Sequence, residues 1–279
     1  MGMVRLIDSL HRLNDSAVRV EILNEPIQVR KMMIEGTADL AILPSTMASV
    51  VYNKGMEYQL VAITGWGGMY LFGTDTSIAQ WGHLRGKRVH VMARGMTPDV
   101  LFRYLLKQHG LDPERDVTLD YSFPTHIDLA NAVAAGQAPI GVIAEPLVGQ
   151  VMQRNKGVQI IFDLNAEWRK VQGIPMAVTA LLVKKGVAGK NNEALQKILA
   201  SYRASIRWVN QNPDSAASLI VRYGILPDYE VARQSIPRSQ LDFVNARAVK
   251  DQIEAYFKVF YDMNPDIIGG KLPDDGFYY

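Results

Sequence analysis

The chain contains no cysteine. That excludes disulfides, thiolate-held metals, cysteine nucleophiles and cysteine-ligated iron–sulfur clusters. It also has little net charge: 30 Lys and Arg stand against 28 Asp and Glu, giving +2. No basic stripe is interleaved with aromatics, so nucleic acid is not an expected partner. No apolar run is long enough to span a bilayer. No signal peptide is visible, because Met1 leads directly into an amphipathic pattern; the chain reads as cytoplasmic or as a mature sequence trimmed of its address. Catalytic signatures are missing as well. No serine lies in a G-x-S-x-G elbow, there is no G-x-x-x-x-G-K-[ST] phosphate loop, and no carboxylate pair stands out as an acid/base couple. The five histidines show neither HxH nor HExxH spacing, so neither a metal nor a cofactor is expected.

What is present is an ordinary globular composition, 48% hydrophobic and 21% charged over 279 residues, enough for one large domain or two ordinary ones. The clearest unit is Leu84 to Phe123. Val89–Met92 reads as a strand and Arg94-Gly95-Met96 as a turn. Thr97 reads as an N-cap with Pro98 at the first helical position. Val100, Leu101, Tyr104 and Leu105 recur at helical spacing, Gly110 closes the helix, and Val117, Leu119 and Tyr121 alternate as a strand. This is a βαβ unit with parallel strands. Its helix start points toward the carboxyl edge of the sheet, where open α/β sheets bind ligands.

The rest of the chain alternates in the same way. Met3–Leu13 predicts a helix, Val18–Leu23 a strand, and Pro26 opens a helix with Val29, Met32 and Met33 inward. Asp39–Leu43 predicts a buried strand, residues from Pro44 to about Asn53 a helix, and Tyr58–Thr64 a strand. Gly65-Trp66-Gly67-Gly68 interrupts it, and Met69–Phe72 resumes extended structure. Past the βαβ unit come a helix capped by Thr125 and stopped at Gly136, a strand at Ile140–Ala144, a helix after Glu145-Pro146, and a strand at Val158–Phe162. Ile174–Val183 is extended, and after Lys185 the pattern turns helical. The last strong stripe is Val249, Ile253, Tyr256, Phe257 and Phe260. Two α/β blocks joined by two extended crossings predict two lobes, with the first exit near Met69–Thr74, the return near Ile174–Ala180, and the glycines at 65, 67, 68 and 73 as a possible hinge.

Four segments resemble the substrate-binding proteins of ABC importers, in the nitrate/sulfonate/taurine branch that includes thiamine-pyrimidine binders. They are Glu35-Gly36-Thr37-Ala38-Asp39-Leu40-Ala41, Leu84-Arg85-Gly86-Lys87-Arg88-Val89, Gly110-Leu111-Asp112-Pro113 with Asp116-Val117, and Ala144-Glu145-Pro146. The resemblance implies a type II periplasmic-binding-protein fold, two α/β lobes joined by two crossover segments. Lobe one would be residues 1–72 plus 176–279 and lobe two residues 73–175. It also implies a non-enzymatic, extracytoplasmic protein that binds a small organic or anionic solute between the lobes and delivers it to an importer permease. Enzymes on the same fold are the alternative: a menaquinone-pathway chorismate dehydratase, or a thiamine-pyrimidine synthase-like protein, which the absent cysteines disfavour. Relative to the family, the first strand of lobe one is missing, since Met1–Val4 already begins the first helix. The gap would be closed by its neighbours, filled by another chain, or left as a groove.

The candidate ligand-binding residues lie at strand-to-helix turns and at the first crossing. Ser45 and Thr46 begin a helix after a buried strand, where hydroxyls and free N–H groups suit an anion; plain capping explains them equally well. Gly95, Met96 and Thr97 form the corresponding turn of lobe two. Thr125 starts the next helix, although capping alone accounts for it. Glu145 either accepts a ligand N–H or caps the helix after it. Gly65 and Trp66 lie at the crossing, where a tryptophan stacks on a planar ligand or simply packs. Trp66, Met69 and Tyr70 lean the reading toward a planar organic ligand.

Overall fold

The computed structural model describes residues 1–13, 17–92, 94–190 and 192–279. Lobe one opens with α1 (Val4–Leu13), α2 (Pro26–Ile34), β1 (Leu40–Pro44), α3 (Ser45–Asn53) and β2 (Tyr58–Gly65). Lobe two holds β3 (Met69–Gly73), β4 (Arg88–Val91), α4 (Thr97–Gln108), β5 (Thr118–Asp120), α5 (His126–Ala134), β6 (Ile140–Ala144), α6 (Leu147–Arg154), β7 (Gln159–Asp163) and α7 (Leu164–Gln172). The chain then returns through β8 (Thr179–Lys184), α8 (Lys185–Lys190), α9 (Asn192–Gln211), α10 (Pro213–Arg222), α11 (Tyr229–Arg238), β9 (Leu241–Asn245) and α12 (Lys250–Met263).

The two sheets run in the orders β1-β8-β2-β9 and β5-β4-β6-β3-β7. In the second, β4 pairs in parallel with β5 and β6, as the βαβ reading requires, while β3 is antiparallel to β6 and β7. Met69–Gly73 therefore belongs wholly to the second sheet. The first crossing is Trp66–Gly68, earlier than the expected exit at Met69–Thr74 and the boundary at residue 72. The return runs through 173–178, close to where the extended pattern put it. Gly73 lies so near β6 that a Cβ there would sit 2.0 Å from the Pro139 carbonyl oxygen. Close backbone approach, rather than hinge freedom, explains that glycine.

The expected strand at Val18–Leu23 does not form; those residues carry no ladder. Alternation alone does not make a strand, since the backbone bonds that define one need a neighbour. No pairing joins this segment to β1, which is the edge of its sheet. Lys184 donates its N–H to Asp39 and Ser45 donates to Val178. The peptide groups of Leu40, Ile42 and Pro44 therefore face the open side, and Pro44, lacking an N–H, costs the ladder nothing there.

Two further elements escaped the pattern. α7 occupies the stretch that the pattern leaves unassigned between the strand at Val158–Phe162 and the extended run from Ile174. Asp163 caps it by accepting from the N–H groups of Asn165 and Ala166, and Gly173, at φ 71°, ends it. β9 interrupts the C-terminal helices to extend the lobe-one sheet beside β2. The main core crosses between the lobes: Trp168 of α7 lies 5.5 Å from Tyr104 of α4 and 5.3 Å from Tyr256 of α12, centroid to centroid. All three belong to one buried cluster, so α12 ties lobe one to lobe two through aromatic contact.

Candidate functional site

The N-termini of α3 and α4 come from different lobes and meet. Thr46 Oγ1 and Thr97 Oγ1 lie 2.8 Å apart, a hydrogen bond across the interlobe boundary. Thr97 is the first residue of α4 and caps nothing with its side chain. The expected N-cap role is thus replaced by the bridge to lobe one. Ser45 is buried and donates its hydroxyl to the Ala177 carbonyl in the return segment. Tyr256, fully buried on α12, lies beside Ser45, and its hydroxyl finds no hydrogen-bond partner of good geometry. Burial raises its phenol pKa, so it remains a neutral O–H donor. The indole N–H of fully buried Trp168 has no partner either.

The turn before α4 is held from beneath. Gly95 takes φ 79°, and its N–H donates to Asp99 Oδ2 at 2.7 Å. Asp99 is buried and accepts as well from Arg103 Nε at 2.8 Å and Tyr121 O–H at 2.7 Å. The carboxylate thereby occupies the positive end of α4 and fixes the turn presenting Thr97. Met96, 44% exposed, lies on the outside of this turn.

The other candidates fall into different places. Gly65 ends β2 opposite Thr179, whose Oγ1 would lie 2.7 Å from an added Cβ. Trp66 is buried, its backbone N–H on the Gln240 carbonyl and its indole N–H on that of Asp242 at 3.3 Å. With its polar atom committed to β9, it packs the crossing. Thr125 caps α5 by accepting from Asp128 N–H at 3.1 Å, and it is exposed. Its neighbour His126 has a lowered pKa from burial, opposed by Glu25 at the start of α2.

Glu145 does more than cap. One carboxylate oxygen accepts from Gly149 N–H at 3.2 Å and Ser235 Oγ at 2.9 Å, while the other accepts from Arg238 Nε. Since α11 packs with the lobe-one helices and β9, this ion pair is a second tie between the lobes. Tyr70 of β3 adds a third by donating to the Arg238 carbonyl at 3.0 Å. Ser235 and Arg238 were not singled out by the sequence, whereas Trp168, after an Asp- and Asn-containing turn, reads as a cleft-lining candidate. Tyr256 did stand out, but only as one member of an apolar stripe. Among the described residues no group of three or more His, Asp or Glu is placed to hold a metal, and no helix is long and apolar enough to cross a membrane.

Two α/β lobes, two crossings and helix N-termini meeting between them define the architecture of importer substrate-binding proteins. The chain belongs to the family described as ABC transporter, phosphonate, periplasmic substrate-binding protein, whose model matches residues 2–219. Among solved structures, an ABC transporter protein from Parabacteroides distasonis superposes with a TM-score of 0.83 at 24% identity, covering 99% of this chain and 95% of that one. The periplasmic aliphatic sulphonate binding protein SsuA of Escherichia coli gives 0.79 at 19% identity, covering 100% and 88%. At these identities the likeness is one of fold. Bacillus subtilis YtlA, named as a binding protein, is 22% identical over 184 residues, which are 64% of this chain and 53% of that protein. The match thus spans about half the length of that relative.

Proposed function

We propose that the chain is the extracytoplasmic, non-enzymatic solute receptor of an ABC importer, taking an organic solute with an anionic headgroup between its lobes and handing it to the permease. The carrying observation is the 2.8 Å contact of Thr46 with Thr97, which brings two helix N-termini from different lobes to one point. Of these two ends, α4 already holds the carboxylate of Asp99, whereas the first turn of α3 carries no acidic residue. An anion therefore gains most at α3, where backbone N–H groups, the Thr46 hydroxyl and the unpartnered Tyr256 hydroxyl supply donors. Trp66 is buried with its indole N–H on the Asp242 carbonyl, which supports packing at the crossing over stacking on a planar ring.

The test is a thermal-shift panel of phosphonates, sulfonates, nitrate, bicarbonate, pyrimidines and thiamine on protein freed of copurified solute. A ligand at a hundredfold excess over its Kd adds about 2.7 kcal/mol, which at roughly 2–4 °C per kcal/mol raises the melting point by about 5–10 °C. A shift with phosphonates or sulfonates that Tyr256→Phe diminishes is expected. A shift with neutral pyrimidines alone would overturn the anionic headgroup, and no shift with any compound would overturn the receptor reading.

A further inference from the structure

Three segments meet where the chain passes between its lobes. The backbone N–H of Trp66 bonds to the Gln240 carbonyl at 3.1 Å and extends the pairing of β2 with β9. The Gly68 carbonyl accepts from Glu145 N–H at 2.7 Å and extends the pairing of β3 with β6. Trp66 therefore moves with lobe one and Gly68 with lobe two, which leaves Gly67 between the two ladders. On the return, Val178 N–H bonds to the Gly65 carbonyl at 3.0 Å and so belongs to lobe one. Met176, two residues earlier, bonds through its N–H to Asn165 Oδ1 of α7 at 3.4 Å and so is held by lobe two.

A pair of side-chain amides bridges this point. Asn165, 2% exposed, donates through Nδ2 to Gln240 Oε1. Asn165 belongs to α7 of lobe two, and Gln240 lies between α11 and β9 of lobe one. Gln240 takes φ 48°, the only positive value at a non-glycine among the described residues. An L side chain enters that region at a cost, so the position is held there by its bonds. Gly67 lies against the pair: a Cβ there would sit 2.8 Å from Asn165 Nδ2, from Gln240 Cδ and from Gln240 Oε1. Gly67 itself has no positive φ. Room for the two amides, rather than backbone freedom, requires glycine at this position.

We propose that Asn165 and Gln240 are positioning residues for solute capture: their amide pair, seated on Gly67, fixes the angle between the lobes and holds the closed arrangement in which Thr46 meets Thr97. The bond has leverage on the whole cleft because each crossing has only a short free stretch beside it, Gly67 on the way out and residues 176–178 on the way back. Rotation about those stretches carries Asn165 with α7 and Gln240 with β9, and so pulls the amides apart. Hydrogen bonds tolerate little change of distance or angle, so the pair forms in one relative orientation of the lobes. The use of that angle for capture rests on the receptor reading; the angle itself is measured without solute.

The chain has no cysteine, so Lys54→Cys in lobe one and Ile127→Cys in lobe two, both at exposed positions, take one nitroxide label each. Pulsed electron–electron double resonance on solute-free protein then reads the distance between the lobes. The labelled parent is expected to give one dominant short distance. Asn165→Ala deletes the bond and Gly67→Ala wedges it apart. Each is expected to shift the major population to a longer distance, with circular dichroism confirming that the variants remain folded. Gln240→Gly, which suits the positive φ, serves in place of either variant that does not fold. In a background of Asn165→Ala with Gln240→Gly the wedge meets neither amide, so Gly67→Ala is expected to add no further lengthening. A purely structural contact would lower the melting point and leave the distance unchanged. The proposal is overturned by a distance distribution that the single variants do not change, one already long in the parent included, or by lengthening from Gly67→Ala that persists in the background lacking both amides. Absence of any solute-induced melting shift would overturn the receptor reading alone and leave this distance measurement standing.

Discussion

The ion pair between Glu145 and Arg238 carries the sharpest energetic consequence. The Glu145 side chain is 1% exposed and that of Arg238 22%. The carboxylate rests on Arg238 Nε, Ser235 Oγ and Gly149 N–H. Arg238→Met keeps most of the apolar stem but leaves a buried carboxylate with only two neutral donors. Removing one partner of a buried pair costs about 3–5 kcal/mol. The partial exposure of the arginine places the expectation at the lower end, about 3 kcal/mol. At roughly 2–4 °C per kcal/mol the midpoint falls by about 6–12 °C. Adding Glu145→Gln removes the stranded charge, so the double variant should recover about 1–3 kcal/mol relative to the sum of the single losses. Thermal and urea denaturation of solute-free protein, followed by circular dichroism, reads all four corners of the cycle. Additivity within about 0.5 kcal/mol, or a loss below about 1 kcal/mol for Arg238→Met, would show a surface-type pair and refute the reasoning.

Two other expectations follow from the geometry. Thr97→Val strands the buried Thr46 hydroxyl and should cost about 1–3 kcal/mol, whereas Thr97→Ser, which keeps an oxygen in place, should cost less than about 1 kcal/mol; equal losses in thermal melts would argue against the interlobe bond. Burial lowers the pKa of His90, His109 and His126 despite opposition from Asp120, Glu167 and Glu25. The unfolded chain therefore binds more protons than the folded one below the ordinary histidine value of about 6.5, and stability present above it is lost as pH falls toward the lowered folded values. The melting point should drop between about pH 7 and pH 5, and His90→Phe should reduce the drop; a melting point that rises over that window contradicts the assignment.

Local signals in the sequence carried much of the scaffold. Glycines at 36, 110 and 136 adopt the positive φ that ends their helices. Thr125 caps α5 as its position before an apolar run predicts. The βαβ unit from Val89 to Tyr121 folds with parallel strands. These features depend on a few neighbouring residues, so a single sequence displays them. What the sequence could not supply depends on partners remote in the chain. Val18–Leu23 has the alternation of a strand and no neighbour to make it one. Met69–Gly73 reads as extended, but only its pairing with β6 and β7 assigns it to the second lobe.

The candidate site divides along the same line. Sequence order placed Ser45, Thr46 and Thr97 at helix starts, because turn chemistry is local. That Thr46 and Thr97 touch, that Glu145 is tied to Ser235 and Arg238 some ninety residues later, and that the Trp66 indole is committed to β9 were settled only by tertiary packing. Hydrogen bonds and ion pairs are short-ranged, and which polar atoms come within reach is fixed only when the two lobes and the C-terminal helices pack together.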